Sequence, residues 1–528
     1  MKAEFFQKIS LPNMPKVGFV SLGCPKNLVD SEVMMGMLAR NGYELTPNAE
    51  DADIFVVNTC SFIAPAQQES INTILELAEH KKTGRARRLV VAGCLVERYR
   101  EQLLAEIPEV DAVVGTGEIE SILEACAEDL ESGRDAAGTQ RGHSETPSYL
   151  YHDATPRIVS TARHTAYIKI NEGCDHPCTF CIIPELRGAF RSRASESVVR
   201  EAENLALGGV REITLVGQDT TFFGEDLGIR DGLPDLLARL AQIDPLLWVR
   251  FLYCYPNRIT QRLLDTLAAH DRLAKYIDVP LQHASRNVLA RMKRGSHGGA
   301  FLKLIERIRR TIPGVSLRTS FIVGFPGEME ADFRELCDFV RAAEFDWLGV
   351  FAYSDEETAE SHALDGKVKQ ETITRRRHEL MSLQRKISHR KLRARVGRTF
   401  TAILEGPAKD TDLLWEARLE GMAPEIDGKV YISEIRGLEE GGPLPSAGTR
   451  ATVEITRAME YDLVGRVIEW TRDAAANHAG VVSQSLSPSR LARPISTSVA
   501  GLVQINAATN GVTSPSSLGP AFARMDAR

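Results

Sequence analysis

The sequence predicts an α/β multidomain protein with four parts: a parallel α/β domain, a partial (β/α)6 TIM-like barrel, a five-stranded antiparallel β-barrel and a disordered tail. Three observations predict it. Through the first third, near-continuous apolar strands alternate with amphipathic helices, the pattern of a parallel sheet covered on both faces. The same alternation then repeats six times, which suits an open barrel better than a flat sheet. After Val396 it gives way to short alternating runs parted by Gly and Pro, as in small closed barrels.

In the first domain, residues 15–130, strands are predicted at 16–23, 53–58, 88–93 and 111–115, with helices at 29–40, 66–79, 96–106 and 119–130. Residues 131–159 turn polar with no period and read as a linker. The barrel domain, 160–394, has candidate strands at 166–171, 212–217, 248–253, 276–280, 317–324 and 347–353. Helical stretches such as 197–207 and 300–311 lie between them, and a basic helix over 374–395 closes the block. The third domain, 395–472, has strands at 399–404, 413–419, 429–435, 450–455 and 463–470. Residues 473–528 are rich in Ala, Ser, Asn, Gly and Thr with Phe522 as their sole aromatic, too little apolar surface to order a chain.

The 528 residues are 43% hydrophobic and 26% charged, the balance of a globular protein with cores. A net charge of −7 gives no overall pull toward nucleic acid. No leader-like apolar segment opens the chain, and no run reaches the ~18 apolar residues of a membrane span. A cytoplasmic protein with no membrane contact is expected. Nine cysteines in such a chain point to metal or catalytic use rather than disulfides.

The sharpest motif is Cys174-Asp-His-Pro-Cys178-Thr-Phe-Cys181, directly after the first barrel strand. Three thiolates this close converge on one loop and hold a soft metal. Zinc is the rival, but a closed zinc site needs a fourth ligand, and no fourth Cys lies nearby. Three ligands on a cubane leave one iron open. A second pattern runs through the first domain: Cys24, Cys60 and Cys94 each follow a predicted strand, 36 and 34 residues apart. In a parallel sheet such positions share the carboxyl edge, where open α/β folds place ligands. One such Cys reads as buried filler; three in register read as a second site. Cys126, Cys254 and Cys337 lack such partners and are assigned to packing.

The Cys-x3-Cys-x2-Cys motif at the first strand end of a six-unit barrel resembles the radical S-adenosylmethionine (SAM) superfamily. The surrounding Asn171-Glu-Gly-Cys-Asp-His-Pro-Cys-Thr-Phe-Cys-Ile-Ile-Pro-Glu-Leu-Arg-Gly188 is similar to its methylthiotransferase branch. So are Gly217-Gln-Asp219, Pro280-Leu-Gln-His283 and the run from Arg318 to Glu328 at strand ends. The resemblance covers roughly residues 15–472, with the last domain resembling a TRAM domain (OB-like). It implies one [4Fe–4S] cluster on Cys174, Cys178 and Cys181, whose open iron binds SAM, and an auxiliary [4Fe–4S] cluster on Cys24, Cys60 and Cys94. Phe180, Gln218 and Arg318 are expected to line the SAM pocket.

Methylthiotransferases act either on a tRNA adenosine or on an aspartate of ribosomal protein uS12. Ser21-Leu-Gly-Cys-Pro-Lys-Asn-Leu-Val-Asp-Ser-Glu32, Pro280-Leu-Gln-His-Ala-Ser285 and Tyr461-Asp-Leu-Val-Gly465 resemble the uS12 branch. Residues 395–472 hold 10 Lys and Arg against 14 Asp and Glu, whereas a tRNA-gripping module is basic; an acidic one suits a basic ribosomal protein. Direct nucleic-acid binding is therefore not expected. Glu416, Glu420, Glu434 and Glu454 are the candidate contacts. The resemblance implies methylthiolation of the aspartate β-carbon, with SAM as both methyl donor and radical source, and an electron donor such as flavodoxin or ferredoxin. Two readings stay beside it: a tRNA adenosine methylthiotransferase, and an iron–sulfur redox carrier.

Overall fold

Strands that are apolar at every position need cover on both faces, and the first domain supplies it. The computed structural model describes residues 14–127, 147–408, 411–436 and 445–471. Strands β1 (Lys16–Ser21), β2 (Glu44–Thr46), β3 (Ile54–Thr59), β4 (Arg88–Gly93) and β5 (Ala112–Val114) form a parallel sheet in the order β2-β1-β3-β4-β5. Val17, Phe19, Ile54, Val56 and Val90 pack with α1 (Pro25–Arg40) on one face. Phe55, Val57, Leu89 and Val91 pack with α2 (Ala64–Thr83) and α3 (Cys94–Glu106) on the other. Sequence reasoning missed β2, a three-residue edge strand with one buried residue and no apolar run to mark it. The helix expected over 119–130 is a short turn followed by Ile122–Cys126; residues 128–130 lie outside the described residues.

The barrel comprises β6 (Thr165–Lys169), the ribbon β7 (Asn171–Glu172) with β8 (Arg191–Ser192), then β9 (Glu212–Val216), β10 (Trp248–Phe251), β11 (Tyr276–Asp278), β12 (Ser316–Val323) and β13 (Trp347–Ala352). Six of these run parallel in chain order, as β6-β9-β10 and β11-β12-β13. The halves meet where the Val249 N–H donates to Arg272 O at 2.7 Å and the Ala274 N–H to Val249 O at 2.9 Å. All six expected strands are present. Of the expected linker, residues 131–146 lie outside the described residues, but 147–159 form a docked strap. Arg157 pairs with Glu32 at 2.6 Å and Glu201 at 2.5 Å, and the buried Tyr151 hydroxyl donates to Glu201. Ion pairs and scattered apolar anchors together hold the strap, Tyr151 within a core and Tyr149, Ile158 and Val159 packed against the cores, and so few apolar residues without a period did not show as an element in the sequence.

The last domain is a closed barrel of β14 (Thr399–Ala408), β15 (Thr411–Leu419), β16 (Val430–Ile435), β17 (Arg450–Ala458) and β18 (Leu463–Trp470), ordered β14-β15-β16-β18-β17. An all-antiparallel barrel was expected, but β16 and β18 pair in parallel. The reason is topological: a closed ring with an odd number of strands cannot alternate direction at every step, so one pair must run parallel. Residues 473–528 lie outside the described residues.

This small barrel stands against the amino ends of the larger barrel's strands. Arg418 reaches the buried Glu212 at 2.6 Å, and Arg250 meets the same carboxylate at 2.8 Å. The Tyr276 hydroxyl donates to Asp427 at 2.7 Å and Trp347 Nε1 to Gly421 O at 2.7 Å. Glu212, Tyr276 and Trp347 are each the first residue of their strand. The carboxyl ends are thereby left to the first domain. Among the described residues no helix is long and apolar enough to cross a membrane.

Candidate cluster and substrate site

Two cysteine trios lie at the carboxyl ends of two sheets. Cys24 is the N-cap of α1, Cys60 follows β3, and Cys94 opens α3 after β4. Because β1, β3 and β4 are neighbours, the three share one edge. Two glycines permit the approach. Gly23 has φ +90, and a Cβ there would stand 2.7 Å from Cys60 Cβ; Gly93 has φ +94, and its Cβ would stand 2.6 Å from Thr59 O. Any side chain would be both strained and blocked. All six cysteines are free thiols.

The donor set fits iron–sulfur clusters. Sulfur is the sole donor type in each trio, and N–H groups converge on it. Arg187 Nη2 donates to Cys94 Sγ at 3.5 Å and Arg294 Nη1 to Cys178 Sγ at 3.5 Å. Backbone N–H groups of Phe62, His176 and Ile183 reach the sulfurs of Cys60, Cys174 and Cys181. Cys24 and Cys94 also sit at helix amino termini, which favour a thiolate. Burial pushes the Cys60 and Cys181 thiols up to about 12 and Cys174 up to about 11, so they ionise only when a cationic partner offsets desolvation. Among the described residues no three His, Cys, Asp or Glu side chains are drawn up around a single metal ion.

The end of β10 reaches toward both trios. Tyr255 stacks on His176, inside the Cys174–Cys181 loop, with centroids 3.9 Å apart, and Arg294 lies 4.3 Å over the same ring. Two residues earlier, the Tyr253 ring carries Lys26, the second residue after Cys24, at 3.5 Å. Between the trios lies a buried ionic network. Lys169 pairs with Asp30 and Glu172, while Arg187 meets Asp30 at 2.6 Å and Glu172 at 3.2 Å. Sequence reasoning missed Lys26, Asp30, Lys169, Glu172, Arg187, Tyr253, Tyr255 and Arg294. Four of these, Lys26, Asp30, Glu172 and Arg187, lie within quoted motifs, but nothing in the spacing shows what they face.

Of the three residues expected in the SAM pocket, Phe180 is half-buried against the barrel core. Gln218 donates to Glu172 Oε1 at 2.7 Å, beside the cysteine loop, and its own buried carbonyl has no hydrogen-bond partner among the described residues. Arg318 is placed elsewhere. It is the third residue of the eight-residue β12, and ion pairs with Asp278 at 2.9 Å and Asp427 at 3.6 Å hold it at the seam with the small barrel. At ~3.3 Å per residue it lies far from the strand's carboxyl end. Two other quoted stretches do meet at that end: His283 lies 3.6 Å from Glu328, which accepts from the Gly324 N–H. Cys126, Cys254 and Cys337 sit in hydrophobic cores. Among the four glutamates, Glu420 accepts from the Lys275 N–H in the seam, Glu416 pairs with Lys429, and Glu434 and Glu454 share Arg466.

Burial alone would raise the Glu172 carboxyl, but Lys169 and Arg187 outweigh it and hold it down at about 2, from an ordinary 4.5. A lowered carboxyl contributes stability above its unfolded value that is lost as pH falls toward the folded one. Resistance to urea unfolding is therefore expected to fall as pH drops from 4.5 to about 2, with a shallower slope in Glu172→Gln. Equal slopes would remove Glu172 as a cause.

A partial β/α barrel with a three-cysteine loop at its first strand end, joined to a cysteine-edged α/β domain, defines a radical SAM enzyme. Three family models match the chain: the uncharacterized protein family UPF0004 over residues 16–115, the radical SAM superfamily over 168–340 and the TRAM domain over 396–468. The ribosomal protein uS12 methylthiotransferase RimO of Koribacter versatilis is 59% identical over 86% of this chain and 96% of its own. That of Solibacter usitatus is 59% identical over 88% and 97%, and that of Trichlorobacter lovleyi 46% over 86% and 98%. The chain belongs to the RimO family of radical SAM methylthiotransferases. Among solved structures, the radical SAM methyltransferase TsrM of Kitasatospora setae overlaps 64% of this chain and 75% of its own, at TM-score 0.47 and 18% identity.

Proposed function

We propose that this enzyme methylthiolates the β-carbon of an aspartate in uS12, with Cys174, Cys178 and Cys181 holding the [4Fe–4S] cluster that binds SAM. We further assign Cys24, Cys60 and Cys94 to a second cluster, Phe180 and Gln218 to the SAM pocket, and a flavodoxin or ferredoxin as electron donor. When bound, these groups supply the electron, the carbon radical and the sulfur. The chain's own residues do the rest. Arg294 and Arg187 donate to the sulfurs of Cys178 and Cys94 and would offset thiolate charge there. The Lys169–Asp30–Arg187–Glu172 network fixes the first domain on the barrel, so that the two trios keep one separation. The small barrel covers the amino ends, so the substrate approaches from the carboxyl side.

The observation that carries this reading is the β10 end, where Tyr253 and Tyr255 reach toward one trio each. A substrate carbon held there lies between the site that makes the radical and the site that delivers sulfur. Among the described residues of the small barrel, Lys429 and Arg466 are paired with Glu416 and Glu454, and the domain's acidic balance disfavours a phosphate backbone. Mass spectrometry of uS12 from a deletion strain tests it: the aspartate is expected to lose its methylthio group and regain it on complementation. If uS12 were unchanged while tRNA adenosine lost the modification, the tRNA reading would replace this one.

A further inference from the structure

Lys26 is 9% exposed, yet its ammonium makes no hydrogen bond or ion pair with a described residue; its contact is the face of Tyr253. The acids nearby are engaged elsewhere: Asp30 and Glu172 with Lys169 and Arg187, Asp278 with Arg318 and with the Tyr253 N–H. Cys24, Glu172 and the opposing Arg187 act on it through space, but none of them bonds it; a buried ammonium whose hydrogen-bonding capacity is unused favours an incoming anion. Tyr253 itself is strained, a non-glycine residue at φ +64 held by Asp278 and by the Thr220 N–H. Such outliers persist where a side chain must be presented in one direction. Its hydroxyl has no partner among the described residues.

We propose that the Lys26 ammonium, with the Tyr253 hydroxyl, receives the side-chain carboxylate of the substrate aspartate and so determines specificity for it. This rests on the uS12 reading above. The β-carbon is one bond from that carboxylate. Gripping the carboxylate beside Cys24, at the end of β10, holds the carbon toward the trio that flanks Tyr255 while leaving it beside the first-domain trio. An adenine ring offers no anion for this contact. A site built to pair a charge discriminates strongly against the neutral isostere.

The test is equilibrium binding of labelled uS12 peptides, carrying either the target aspartate or asparagine, to the fully reconstituted enzyme. Wild type is expected to prefer the aspartate peptide by roughly 10- to 100-fold. Lys26→Met should bring the ratio to within about 3-fold, by losing affinity for aspartate alone, and Lys26→Arg should retain most of it. Equal binding of the two peptides by wild type would overturn the proposal. So would Lys26→Met weakening both peptides alike with loss of iron, which would assign Lys26 to cluster charge instead. If Lys26→Met fails to fold, Lys26→Gln and the wild-type ratio decide. Failure of wild type to modify any uS12 aspartate would overturn the functional reading itself; modification without aspartate preference would overturn only the role of Lys26.

Discussion

Cys178→Ala is expected to abolish reductive cleavage of SAM, whereas Cys60→Ala should leave that cleavage largely intact and end sulfur transfer. The difference follows from where the two thiols lie. Cys178 sits in the loop after β7, its sulfur accepting from Arg294, whose guanidinium also binds Pro280 O at 2.7 Å. Removing one of three ligands leaves a cluster that no longer presents a stable open iron. Cys60 lies at the other sheet's edge, packed against Gly23, with Cys24 and Cys94 as its neighbouring thiols. Reconstituted wild type should carry about eight irons and each variant about four. Four irons in wild type, or equal loss of cleavage in both variants, would count against two clusters.

The sequence revealed what repeats. Strand–helix alternation gave the sheet and the barrel because buried parallel strands are apolar at every position. Cysteines directly after predicted strands, 36 and 34 residues apart, revealed one trio, and the Cys-x3-Cys-x2-Cys spacing revealed the other. What it concealed is polar and non-local. Tyr253 meets Lys26 across domains, and Arg187 meets Asp30 157 residues away. No spacing rule links such positions, and composition makes them resemble surface. Arg318 shows the converse. It sits in a family-like run, yet it is tied to Asp427 at the seam as well as to Asp278 at the end of β11.

Arg187→Leu is expected to destabilise the protein by about 3–5 kcal/mol, the cost of leaving buried charge unpaired. Arg187 is 3% exposed and engages four partners: Asp30, Glu172, the Asn27 carbonyl at 3.1 Å and Cys94 Sγ. Without it, two buried carboxylates share Lys169 alone, a net negative charge in a low-dielectric seam. Asp30 and Asn27 belong to α1 while Glu172 and Lys169 belong to the barrel, so the loss falls on the joint between the two sites. Domains of this size shift by roughly 2–4 °C per kcal/mol, so the first thermal transition should fall by about 6–20 °C. Arg187→Lys keeps the charge but not the fork, and should fall between. The cause is identified by the double variant Asp30→Asn with Arg187→Leu: if charge imbalance dominates, it should melt higher than Arg187→Leu alone. A double variant that melts lower, by the sum of the two, would point to lost packing instead.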